Sequence, residues 1–143
     1  MFNSTYEDRI LIWRNFRLEL ETSSDPIRDA INFYNAAPLS QLQTDPYDQS
    51  SWPSAWELLD YNSYCEFTKI LAIYYSLSLL NRFKECVFSL KFMNDHSTSK
   101  YFYLLFINDC VVGFENDQAI HVSELPNTLS VSESFNLSTK INH

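Results

Sequence analysis

The chain has 143 residues, 45% hydrophobic and 16% aromatic, which fits one domain with a real core and excludes wholesale disorder. Net charge is −8, from 18 acidic and 10 basic residues, which excludes a counterion-displacing basic surface, so no nucleic-acid partner is expected. The single glycine, Gly113, rules out phosphate loops and dinucleotide fingerprints, which need several, and no cofactor is expected.

Ser4-Thr5-Tyr6-Glu7 reads as a capping box opening a helix over 5–21, with Ile10, Trp13, Phe16 or Arg17, and Leu20 at helical spacing. Asp25 as cap and Pro26 at the first helical position start a second helix, whose apolar stripe is Ile27, Ile31 and Tyr34. Residues 36–51 form a long polar loop with Pro38 and Asp45-Pro46, expected to pack on the surface or meet a partner. Ser54 to Glu57 is a second capping box, opening a short helix that ends near Asp60. Asn62 or Ser63 is expected to cap the next helix, with Ser63 to Glu66 as a third box. Its residues Phe67, Ile70, Leu71, Tyr74, Leu77 and Leu80 are apolar on several faces, as in a central, buried helix.

The period then changes to two. Strands are predicted at 86–92, 101–107, 110–114, 119–122 and 128–135, joined by turns at Asn94 to Lys100, Asn108-Asp109, Asn116-Asp117 and Ser123 to Pro126. The last eight residues are polar and expected to fray. The sum is one α+β domain over 1–143: a helical hairpin (5–35), a loop (36–51), central helices (52–80) and a C-terminal antiparallel meander (86–135) packed under the buried helix. Strand Tyr101 to Ile107 is apolar on both faces, so both are expected to be covered, one of them by a second subunit or a partner protein.

Three cysteines, Cys65, Cys86 and Cys110, at wide spacing read as reduced thiols, without metal-ligand spacing; no bound metal is expected. Glu7 and Asp8 precede any apolar run, so neither a signal peptide nor secretion is expected. No stretch of about eighteen apolar residues suggests a membrane span. Cys65 stands at the first turn of the long helix, where the partial positive charge favours a thiolate nucleophile, with His96 or His121 as its base. The bland reading is a small buried side chain. Trp13, Trp52 and Trp56 fit either an aromatic ligand platform or anchors of a loop on the core. Leu39, Tyr47, Trp52, Trp56 and Tyr61, on and beside the Pro-containing loop, are the expected partner-binding residues.

The order of a helix-borne Cys65 followed by strands resembles transglutaminase-like and papain-like cysteine enzymes over about residues 52–115. That resemblance implies a hydrolase or transferase, but it would put a histidine on the strand YFYLLFI, which has none. The segments ILIWRNFR (10–17), DPYDQSSWPSAWELL (45–59), YCEFTKILAIYYSL (64–77) and YFYLLFIND (101–109) resemble a family of small uncharacterised proteins of tailed bacteriophages, chiefly marine and cyanobacterial ones. This second resemblance implies a phage protein acting in the virion or the host cytoplasm. Its expected role is non-enzymatic, through contacts with other phage proteins or with itself, as a minor component of neck, tail or baseplate. A host-directed binding protein made during infection is the further alternative.

Overall fold

A computed structural model describes residues 1–40 and 44–137. Helix α1 (Tyr6–Thr22) is capped by Thr5, whose side chain accepts from the Asp8 N–H, one residue later than the expected box. It buries Arg9, Trp13, Phe16 and Leu20, a stripe along one face. Helix α2 (Pro26–Asn35) starts as its sequence dictates, the Asp25 carboxylate accepting from the Arg28 N–H. Helix α3 (Ala55–Tyr61) has the Ser54/Glu57 capping box in both directions.

Helix α4 (Glu66–Ser78) begins differently from the expectation. Asn62 is the left-handed C-cap of α3 instead, at φ 50°. Tyr64 forms a parallel bridge with Leu39, so the residue free to cap α4 is Cys65. The Thr68 hydroxyl stands in for a capping glutamate and accepts the Cys65 N–H at 2.8 Å. As the sequence suggests, α4 is central: Phe67, Leu71, Ala72, Ile73, Tyr74 and Leu77 are all buried.

A chain with one glycine lacks the usual residue for helix C-termini, and arginines serve there. The Arg82 guanidinium donates to the carbonyls of Leu20, Glu21 and Ser23 at the end of α1. In return the Glu21 carboxylate accepts the N–H groups of Asn81 and Arg82. Arg9 donates to Leu59 and Asp60 at the end of α3, and to the Ser4 carbonyl.

Among the described residues, five strands form one antiparallel sheet: β1 (Phe88–Asp95), β2 (Tyr101–Ile107), β3 (Cys110–Val112), β4 (Ile120–His121) and β5 (Leu129–Leu137). The order is β4-β3-β2-β1-β5. The first four strands are the expected meander. The fifth departs from it, crossing the sheet to pair with β1 from Phe88↔Leu137 to Asp95↔Leu129. Strand length gives the reason. β4 offers two residues of edge, β1 offers eight. β5 also runs on to Leu137, into the tail expected to fray, while 138–143 lie outside the described residues.

The crossing changes the reading of β2. Phe88, Leu90, Phe92, Leu105, Ile107 and Val112 face α4 on the near side of the sheet. Met93, Leu104, Phe106, Val111 and Ile120 form a second cluster on the far side, where Leu125 and Leu129 of the crossing chain pack on them. Leu104 is 0% exposed. The chain's own crossing segment therefore covers the far face, where a second subunit or partner was the sequence expectation. The start of β5 is pinned at the β1–β2 turn: the His96 N–H donates to the Thr128 carbonyl at 3.0 Å. The hydroxyl of Thr128, followed by the hydroxyl and N–H of Ser97, holds the Asp95 carboxyl down to about 2.

Candidate functional site

Cys65, the expected nucleophile, is 7% exposed. Its sulfur lies 3.4 Å from the Thr68 hydroxyl, which also binds the Cys65 backbone. The two histidines are engaged elsewhere. His96 Nε2 meets the Ser130 hydroxyl at 2.7 Å, beside β5. His121 Nδ1 meets the Ser123 hydroxyl at 2.8 Å and accepts the Ser123 N–H, at the β4 edge. β4 and β5 are the two opposite edges of the sheet. Among the described residues, the structure therefore brings neither His96 nor His121 to Cys65, which stands buried as the N-cap residue of α4. Cys86 and Cys110 are half-buried free thiols. Among the described residues, no group of three or more His, Cys, Asp or Glu side chains is placed to hold a metal ion.

The five expected partner-binding residues divide by burial. Trp52 is half-buried: its ring packs on Phe67 (5.2 Å) and Phe135 (4.9 Å), and its indole N–H donates to the Pro46 carbonyl. Trp56 is half-buried, edge-on to Trp13 at 5.5 Å. Both tryptophans thus have a foot in the core. Leu39 (66% exposed), Tyr47 (52%) and Tyr61 (58%) present large apolar side chains to the outside. Tyr47 stands edge-on to Phe92, and its hydroxyl meets that of Tyr101. The described part of the 36–51 loop is thereby folded over the near face of the sheet. The Tyr61 hydroxyl donates to Glu57, whose carboxyl is held below its usual range chiefly by the Ser54 N–H and then by this phenol.

A polar groove lies elsewhere, lined by none of the candidate site residues that the sequence singles out. It has a volume of about 320 Å³ and runs between the first turns of α4, strand β2 and the chain after β3. Glu66, Lys69 and Ile70 line one wall, Glu115 and Asn116 the other, with Lys100 at the end. Gly113 makes the groove possible. It sits at φ +109°, and a Cβ there would lie 2.5 Å from the Tyr103 carbonyl oxygen. The chain bends away at this point and is moored outward, Asn35 Nδ2 donating to the Asn116 carbonyl at 2.8 Å. The signal was available: the chain's one glycine directly follows an apolar strand, which marks a bend or a close backbone approach.

No protein-family model matches this sequence, and no curated protein matches it significantly. Among the described residues, no helix is long and apolar enough to cross a membrane.

Proposed function

We propose that the chain works by binding proteins, as a minor component of the neck, tail or baseplate of a tailed-phage particle, its partners being other phage proteins or a second copy. The observation that carries the binding part is the exposure of Leu39, Tyr47 and Tyr61. Exposed apolar and aromatic side chains are the raw material of protein interfaces. Trp52, whose indole N–H donates to the Pro46 carbonyl next to Tyr47, anchors that part of the loop on the core. The phage setting rests on the sequence resemblance over residues 10–17, 45–59, 64–77 and 101–109. The test is mass spectrometry of purified particles of the source phage. A reproducible peptide set at a fixed copy number is the expected result. Absence from particles would overturn the virion role and leave a host-directed binding protein, which pull-down from infected cells would then identify. A cysteine hydrolase or transferase needs a reactive Cys65, and the burial of its sulfur weighs against one. A thiol-reactive probe should label Cys65 no faster than a free thiol.

A further inference from the structure

We propose that the open edge of β2, Tyr101 to Leu104, is a peptide-binding site that takes an extended segment of a partner protein as an added strand. The proposal rests on the protein-binding reading above and names the chemistry of one contact.

The argument begins with register. The Asp95 N–H donates to the Lys100 carbonyl, and the Asn108 N–H to the Val87 carbonyl. Even-numbered residues of β2 therefore direct their backbone groups to β1, and odd-numbered ones to the opposite side. Tyr103 agrees, since its carbonyl oxygen points at Gly113. On that side β3 pairs only with Leu105, Phe106 and Ile107. On the other side the β1 pairing continues to Asn94↔Tyr101. The main-chain N–H and C=O groups of Tyr101 and Tyr103 consequently face the groove beyond the end of β3, and among the described residues no strand pairs with them. Such a row is chemically matched by another extended backbone.

The groove also fits in size and lining. Four residues of open edge span about 13 Å at the usual strand rise. An added strand would occupy the row that β3 leaves at Gly113, and its side chains would alternate between two surroundings. One set meets the rings of Phe102 and Phe114, 4.9 Å apart. The other meets Glu66 and Lys69 at the start of α4. The occupant is thus a short segment alternating apolar and polar residues. Gly113 keeps the row open, because any side chain there would press on the Tyr103 carbonyl.

The probe is a library of N-acetylated, C-amidated heptapeptides alternating apolar and polar residues, with amide hydrogen exchange followed by NMR. In the free protein, Tyr101 and Tyr103 should exchange faster than Phe102 and Leu104. With a selected peptide at about 100 times its Kd, exchange at Tyr101 and Tyr103 should slow about 100-fold, since only the free form exchanges. Lys69→Trp and Glu115→Trp fill the groove from opposite walls, and each should weaken that peptide at least about tenfold, a loss of about 1.4 kcal/mol. Leu39→Asp, outside the groove, should leave it unchanged. The proposal falls if Tyr103 is as protected as Leu105 without peptide, if no peptide slows these amides, or if binding survives both tryptophans. Peptides lost on Leu39→Asp yet indifferent to the tryptophans would overturn the groove and keep the protein-binding reading.

Discussion

Ser76 shows how one small side chain can tie three helices together. Its hydroxyl has one proton and two lone pairs. The proton goes to the Ala72 carbonyl at 3.0 Å. The lone pairs accept from the Trp13 indole N–H and the Tyr34 hydroxyl, both at 2.9 Å. Every valence is used at a site 0% exposed, and α1, α2 and α4 meet there. Ser76→Ala strands two buried donors at once. Each unsatisfied donor costs about 1–3 kcal/mol, so the variant should lose about 2–6 kcal/mol. Urea unfolding should show this as a lower midpoint with an unchanged slope. A loss below about 0.5 kcal/mol, the ordinary scatter of surface substitutions, would refute the account. None of this is legible in the sequence. A serine in the run YYSLSLL reads as a polar gap in an apolar helix, and its partners lie 63 and 42 residues away. Trp13 and Tyr34 are legible as core residues by their spacing; that they share one acceptor is not.

At the scale of elements, the sequence speaks clearly where the determinants are local. The Ser54/Glu57 box and the Asp25-Pro26 start lie where their residue types require. Turn chemistry marks the β2–β3 hairpin at Asn108, which adopts φ 50°. The departures arise where tertiary contacts compete. The Leu39↔Tyr64 bridge takes the residues just ahead of α4, so the cap moves to Cys65. The destination of β5 depends on comparing two edges, which no local window contains. Helix C-termini belong to the same class, since an arginine 50 residues away in sequence closes α3. Arg9 is 8% exposed and spends its guanidinium on three carbonyls. Charge-assisted bonds of this kind contribute about 1.5–3 kcal/mol each before the cost of burying the charge. Arg9→Met should therefore destabilise by about 2–3 kcal/mol. Arg9→Lys should recover only part of that, because one ammonium cannot span the fork of acceptors that a guanidinium reaches. The acceptors are carbonyls, so thermal unfolding should give nearly the same difference at 0.05 and 0.5 M salt, with screening acting on exposed ion pairs instead.

The whole molecule is built on an aromatic core, into which three phenols turn as donors. Tyr34 donates to Ser76, Tyr64 to the Leu58 carbonyl at 3.5 Å, and Tyr75 to the Pro53 carbonyl at 2.6 Å. These three bonds join α2, the α3–α4 link and α4 to their neighbours, and each disappears on ionisation. Burial pushes Tyr64 up to about 12, and it raises Tyr34 and Tyr75 as well. The linkage has one sign for all three. Below pH 10 the phenols are neutral in folded and unfolded chains alike, and their stabilisation is complete. Above it, the unfolded chain releases protons that the folded chain retains, so stability falls as pH rises. Each phenol contributes a slope of about 1.4 kcal/mol per pH unit, so the three together reach about 4. Unfolding free energy should hardly change with phenol ionisation up to pH 9, then drop steeply between 10 and 12. Tyrosinate absorbance should rise in two stages, with Tyr34, Tyr64 and Tyr75 coming last and only with loss of the fold. A smooth titration of all nine tyrosines near pH 10 in a chain that stays folded would mean the inward phenols are open to solvent, and the core described here would be wrong. The two-stage rise instead would tie alkaline unfolding to the same contacts that seat α4 on its neighbours.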